Sequence, residues 1–301
     1  MLLLSLNVPT APAAFDDGFI GARAMAMGGV SAAIGSDADS LLINPATLSN
    51  LPDGQDPAYQ QLLATTAVLH AELSDGTSIT QNLLGYINKR TSPAALGVLW
   101  KRLNVSKLYS ENYVVVGISR SFALGERRLS FGGDVKFLNW DTAPTIGANG
   151  IIVEDLPGRS LFSFDVGLVF RPSANIPIAL SVQNINTPNI ATRDSPVTEN
   201  LPIWVTLGLG VFGQRSLWGM DVTFREREVD VKVGLEQTFN QGKFRLRGGF
   251  RLESLAWGTN LTLGGGYHVS ERLRLDYAFL FPIGGIEETL GSHRFSVVYD
   301  F

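Results

Sequence analysis

The chain has no cysteine at all. That removes disulfides, thiolate nucleophiles and cysteine-ligated metals together. Only three histidines are present, His70, His268 and His293, and they are far apart in the sequence. Histidine-based catalysis would have to assemble from distant partners, so the chain reads as a non-enzyme. No cofactor is expected either, because Gly264, Gly265 and Gly266 fall within a strand pattern, not at a strand-to-helix turn where glycines cradle phosphate. The pair Asp37 and Asp39 lacks the spaced ligands and closing glutamate of a calcium loop. Charged residues are sparse at 17%, with a formal net charge of −4 and no basic cluster, which argues against a nucleic-acid partner. Also missing is any apolar run long enough for a membrane-crossing helix. Yet 45% of the residues are hydrophobic and Gly numbers 32, so the apolar content is dispersed in short pieces.

Those pieces alternate with period two, which is strand geometry. In residues 243–253, Phe244, Leu246, Gly248, Phe250 and Leu252 share one face, opposite Arg245, Arg247, Gly249 and Arg251. Residues 160–171, 229–236 and 272–281 repeat the pattern. Counting all such segments gives about fourteen, at 60–73, 77–90, 94–105, 112–123, 127–140, 160–171, 175–186, 202–213, 216–226, 229–240, 243–253, 257–269, 271–282 and 292–301. An even number of long strands suits a tilted transmembrane barrel. The connections support this: short ones at 91–93, 124–126, 172–174, 214–215, 241–242 and Ser270 alternate with longer ones at 141–159, 187–201 and 283–291. In a barrel the apolar face meets lipid, since an ion at midplane costs about 2–4 kcal/mol. A soluble barrel of that size would hold an interior too wide for side chains to fill. The expected fold class is therefore all-β, a closed antiparallel transmembrane barrel.

Three regions follow. Residues 1–14 resemble part of a signal peptide, with apolar MLLLSLNV and small residues Ala11, Ala13 and Ala14, although a first strand or short buried helix is the alternative. Phe15 or its neighbour would then begin the mature chain. Residues 15–55 lack alternation and read as a small, partly helical plug, or hatch, with nothing of its own to bury against; residues 56–301 form the barrel. Asp37 or Asp39 is expected to cap a short helix through Leu42, and Asn44-Pro45 reads as N-cap followed by the first helical position. Gly28 and Gly29 would allow close approach to barrel backbone. Lumen-facing charges are expected at Lys232, Glu236, Arg245, Arg247, Arg251, Arg272, Arg274 and Asp276, as a cross-strand network bracing the wall or a conduit for a charged solute. The last segment, HRFSVVYDF, sets Phe295, Val297, Tyr299 and Phe301 on one face, with Val298 breaking the pattern on the other. An aromatic terminal strand ending in Phe resembles the assembly signal of bacterial outer-membrane barrels, which implies that location, lipid contact and the barrel-assembly machinery as a partner.

The ordered set GARAMAMGG, INPATL with Asn44-Pro45-Ala46, FDVGLVFRPSANIPIALSVQNI (164–185), LPIWVTLGLGV (201–211), VGLEQTF (233–239), LRLDYAFLFP (273–282) and SHRFSVVYDF resembles FadL-like outer-membrane proteins, especially the PorV/PorQ-like branch. The resemblance covers nearly the whole mature chain. It implies a fourteen-stranded barrel with an N-terminal hatch in the lumen. FadL-type relatives imply transport of small hydrophobic molecules; PorV-like relatives imply partners in type IX secretion. The modest outer loops leave both readings open.

Overall fold

The computed structural model describes residues 14–15, 20–49, 59–72, 76–89, 94–106, 108–146, 152–154, 157–192, 195–226, 228–253, 258–283 and 289–301. The segment 1–13, read above as a leader, lies outside them. In chain order the strands are β1 (Gln60–Leu69), β2 (Ile79–Asn88), β3 (Ala95–Val105), β4 (Tyr109–Leu124), β5 (Arg127–Thr142), β6 (Thr145–Ile146), β7 (Ile152–Glu154), β8 (Arg159–Ser173), β9 (Ile176–Gln183), β10 (Trp204–Phe212), β11 (Ser216–Arg225), β12 (Glu228–Phe239), β13 (Phe244–Leu252), β14 (Thr259–His268), β15 (Leu273–Pro282) and β16 (Ser292–Asp300). Fourteen of them form a closed antiparallel barrel in which each pairs with its chain neighbours, β6 and β7 making a separate small hairpin between β5 and β8. Closure joins β1 to β16, from Gln61 opposite Asp300 to Val68 opposite His293. With no edge strand left, every barrel strand is paired on both sides.

The burial pattern is inside-out relative to a soluble barrel. On β8, Phe162, Phe164 and Val166 are exposed, whereas Ser163, Asp165 and Gly167 point inward and are buried. The same holds for Leu261 and Leu263 of β14 and for Phe295, Val297 and Tyr299 of β16. An outer face this apolar is stable against hydrocarbon and unfavourable in water. Among the described residues no helix is long and apolar enough to cross a membrane.

Three strand boundaries depart by three residues or more from the periodicity reading. The first strand, expected to run to residue 73, ends at Leu69, where His70 takes a positive φ of 47°. The fourth strand starts at Tyr109, three residues earlier than expected, because Tyr109 and Ser110 stay in register with Thr142 and Asp141. The strand expected at 175–186 ends at Gln183. There Asn184 takes a positive φ of 56°, its N–H donates to Asp165 at 2.9 Å and its side chain donates to the Pro202 carbonyl at 3.1 Å. These bonds turn the chain off the sheet. The hairpin β6–β7 was not legible as alternation because it is only a few residues long.

Inside the ring lies the segment 20–49, almost wholly buried. It holds helix α1 (Ala22–Ala26) and two 3₁₀ turns, Ala38–Leu42 and Pro45–Ser49. Its Ile20, Met27, Val30 and Ile34 join inward Val169, Ala179, Leu217 and Ala278 of the wall in one apolar cluster. A second cluster joins its Leu41, Leu42 and Leu48 to Leu63, Leu83, Leu99 and Val298. Val298, the residue that breaks the pattern of the last strand, faces this core.

Candidate functional site

The segment fits the wall because the wall has a belt of glycine at its height. Gly97 stands opposite Gly117, Gly132 opposite Gly167, Gly219 opposite Gly234 and Gly234 opposite Gly249 in the register of neighbouring strands. A Cβ built on these residues would overlap the segment: Gly85 meets Ala38 Cβ at 2.7 Å, Gly208 meets Ala32 Cβ at 2.8 Å, and Gly219 meets Val30 at 2.7 Å. On Gly132, Gly234 and Gly249 it would strike backbone of Pro45, Ala46, Met27 and Gly28. Main chain thus packs on main chain. The contact is reciprocal at Gly28, whose φ is +73° and whose own Cβ would lie 2.8 Å from the Val233 carbonyl. Gly29 also has a positive φ, 86°, but has room around it.

Hydrogen bonds hold the segment in that position. Asn44 is fully buried; its Nδ2 donates to Ala32 O at 2.8 Å and its Oδ1 accepts from Ala46 N–H at 3.0 Å. The second bond is a helix-capping bond at the Pro45–Ser49 turn. Wall residues reach in as well: Asp221 accepts from Ser31 and Ala32, Ser181 donates to Ile43 O, Gln183 donates to Leu42 O, and Ser119 donates to Ala46 O. The two aspartates expected as caps do something else. Neither caps the Ala38–Leu42 turn through its side chain. Asp39 accepts from Gly21 N–H at 2.7 Å, at the start of α1, and Asp37 pairs with Arg274 at 2.5 Å. For Asp37, a charged wall residue competes successfully with the local cap.

That pairing belongs to a chain of ions on the side of the lumen nearer the short connections. Arg23 meets Glu236 at 3.2 Å, Glu236 meets Arg247 at 2.7 Å, Arg247 meets Asp276 at 2.6 Å, and Asp276 meets Arg274 at 2.6 Å. Arg251 pairs with Glu253 and touches the sulfur of Met25 at 3.3 Å. Arg245 is half-buried, and Lys232 runs past Gly29. Arg272 does not belong here: it sits exposed in the turn before β15, one residue outside the strand that would have aimed it inward. Burial opposes ionisation of Asp37, but Arg274 and Arg23 outweigh it and hold the carboxyl down to about 2. Burial, reinforced by the Asp37 charge, pushes Asp39 up to about 6. Removing one partner from such a buried pair leaves an uncompensated charge and costs several kcal/mol, roughly 3–5.

On the other side, towards the longer connections, an apolar cluster occupies part of the lumen. Phe15 packs edge-on against Tyr113, with ring centroids 5.0 Å apart, and its N–H donates to Glu111 at 2.9 Å. Ile190, Ala191 and Leu201 turn inward over this end: Trp140 donates to the Ile190 carbonyl at 2.9 Å, Arg159 donates to the Ala191 carbonyl, and Ile190 and Leu201 are buried against Tyr113, Leu138 and Leu161. Between this cover and the segment is a small pocket. Its floor is Leu42 and Ile43, its wall Lys101, Tyr113, Lys136, Leu138, Gln183 and Trp204, and its cover Phe15, Asn184 and Leu201.

Sequence reasoning singled out Asn44, Pro45, Ala46, Gly28 and Gly29, and the structure brings them to the inner wall. It missed the cavity lining entirely, since Lys101, Tyr113, Lys136 and Trp204 lie on four different strands. It also missed the belt, whose signal was present: one inward glycine recurring on strand after strand. No group of three or more His, Asp or Glu side chains is placed to hold a metal among the described residues.

No protein-family model matches the chain. No curated protein matches it. Solved structures do. The toluene transporter TodX of P. putida superposes with a TM-score of 0.64 at 15% identity, covering 93% of this chain and 97% of that one. The CymD monoaromatic hydrocarbon channel gives 0.62 at 13% identity over 95% and 97%, and a Pseudomonas aeruginosa FadL homologue gives 0.60 at 11% over 94% and 98%. At these identities the likeness speaks for architecture: the chain has the fold of the FadL-type channels.

Proposed function

We propose that the protein is a bacterial outer-membrane channel that admits small hydrophobic molecules, with residues 20–49 as its hatch. The observation that carries this reading is the mostly apolar cavity between the inward-folded outer loop and the Leu42–Ile43 floor. A solute leaving water would gain roughly 25 cal/mol per Å² of apolar area buried there. It would then meet the hatch, because below the floor the lumen is filled by backbone packed on the glycine belt and by the Arg23–Glu236–Arg247–Asp276–Arg274–Asp37 chain. Passage requires Asn44 to release Ala32 O or Ala46 N–H, so the Asn44-Pro45-Ala46 turn is the natural hinge. Structural neighbours described as hydrocarbon channels support the class.

The test is uptake of toluene and of a longer alkane by proteoliposomes with the intact protein and with residues 18–50 deleted. Hydrophobic uptake above that of empty vesicles is expected for the intact barrel. No uptake of either solute would reject the transport reading. A PorV-like scaffold of protein export is the second reading. It would work through outer residues 141–159 and 187–201, and it has less support here because Ile190, Ala191 and Leu201 of the latter loop pack inward.

A further inference from the structure

The outer wall changes character along one ladder row. Thr66 of β1, Asn82 of β2, Arg102 of β3, Asn112 of β4, Asn139 of β5 and Ser160 of β8 stand opposite one another in register across six neighbouring strands. They point away from the lumen, since the residues beside them, such as Gln81, Lys101, Glu111 and Leu138, are buried inside. One outward step nearer the short connections, every strand is apolar: Ala64, Leu84, Trp100, Val114, Phe137 and Phe162. The row therefore lies towards the longer connections, directly above a wall suited to hydrocarbon. Such a boundary fits an amphiphile better than a free ion.

Arg102 is the one charged member of the row, and it is exposed. None of the outward positions next to it, in register, along β3 or on the diagonals, is acidic. Asn82 and Asn112 flank it instead, whereas Asn139 donates to Ser160 at 3.0 Å. Facing neighbours on a ladder lie about 5 Å apart, so a guanidinium and two carboxamides can converge on one group. The arginine fork matches phosphate oxygens, and a phosphate monoester offers three of them, one for each side chain.

Resting on the outer-membrane location proposed above, and not on transport, we propose that Asn82, Arg102 and Asn112 bind a membrane lipid whose headgroup carries a phosphate monoester. Its acyl chains lie along Leu84, Trp100 and Val114.

Native mass spectrometry of the purified barrel in detergent, with diphosphoryl lipid A, its dephosphorylated form or phosphatidylglycerol added, reads the binding of each. Diphosphoryl lipid A is expected to bind about fivefold more tightly than the other two. Arg102→Gln should remove that preference, and Asn82→Ala with Asn112→Ala should reduce it about twofold. Arg120→Gln should leave it unchanged, because Arg120 is an exposed outward arginine near the short connections. Heat-modifiable migration confirms that each variant is folded. Equal binding of the three lipids, or a preference that survives Arg102→Gln, would overturn the proposal. Phosphatidylglycerol bound as tightly as diphosphoryl lipid A would overturn it by showing a site for any anionic lipid. The assay uses purified protein and no solute, so its failure is distinct from a failure of uptake in proteoliposomes.

Discussion

Asn44 Nδ2 reaches back twelve residues to the carbonyl of Ala32, 2.8 Å away, and so ties the last turn of the lumen segment to its middle. The same side chain caps the Pro45–Ser49 turn through Ala46 N–H. Replacing Asn44 with Ala strands two buried backbone groups, each worth roughly 1–3 kcal/mol when unsatisfied. Amide hydrogen exchange of residues 30–48 should accelerate by one order of magnitude or more, with the strand amides unchanged. Equal protection in the variant would show that the bond does not hold the segment.

The glycine belt makes a sharper prediction. Gly234→Ala places a methyl group against Met27 backbone, whereas at Gly265 the nearest atom to a new Cβ is the Arg245 carbonyl at an ordinary 3.5 Å. Overpacking of this kind costs about 1–3 kcal/mol. Gly234→Ala should displace the segment and raise single-channel conductance in planar bilayers, towards the value for deletion of residues 18–50, while Gly265→Ala should not. Identical conductance in all four proteins would refute the idea that the segment is the plug.

Acidity should tighten the segment before it loosens it. Asp39, raised to about 6 from an ordinary 3.8, holds a proton more readily in the fold than in the unfolded chain. Its contribution is fully present below about 3.8 and is lost as pH rises through 6. Asp37, held at about 2, works the other way: its contribution is present above 3.8 and lost as pH falls through 2. Resistance of residues 20–49 to exchange or proteolysis should therefore rise as pH falls through 6 to a maximum near 4, then decline towards pH 2. Arg23, Arg274 and the Asp37 charge are the groups facing Asp39 that set this balance. Asp39→Asn, which keeps an acceptor for Gly21 N–H, should flatten the rise; a profile indistinguishable from wild type would exclude Asp39 as its source.

The last strand invites an assembly test. Tyr299 and Phe301 are exposed on the outer face, with their rings edge-to-face at 4.9 Å. Tyr299→Ser with Phe301→Ser should reduce the folded, heat-modifiable fraction in membranes several-fold, because this is the strand that closes on β1. Val298→Ser on the opposite face should act differently. It loosens the inner core beside Leu63 and Leu83, so it should lower thermal stability without lowering insertion. Unaltered membrane assembly of the double variant would count against the signal reading.

Most of the barrel was legible because period-two alternation is a local property. Phe244 to Leu252 states its two faces in nine residues, with no need of a neighbour. Closure was legible too, since an even count and an apolar outer face leave no other use for the first and last strands. The site was less legible, for a physical reason. Asp37 reads locally as a helix cap, and only folding shows Arg274 competing for it from the far end of the chain. Arg272 shows the converse: one residue decides between a lumen-facing strand position and an exposed turn, and pattern does not fix ends that finely. The cavity left no trace because Tyr113, Lys136 and Trp204 are adjacent only around a circumference.

Glycine has no rotamers, and that constrains how the lumen can change its bore. Where a pore is narrowed by side chains, thermal rotation opens it by degrees and each opening is small. Around the belt there is little to rotate, since the Met27–Gly28 backbone lies directly on Gly234 and Gly249. Widening there requires a stretch of main chain to detach as a unit, breaking several wall contacts together. Conductance through this protein should then switch in discrete steps between shut and open, with long shut dwell times and few intermediate levels.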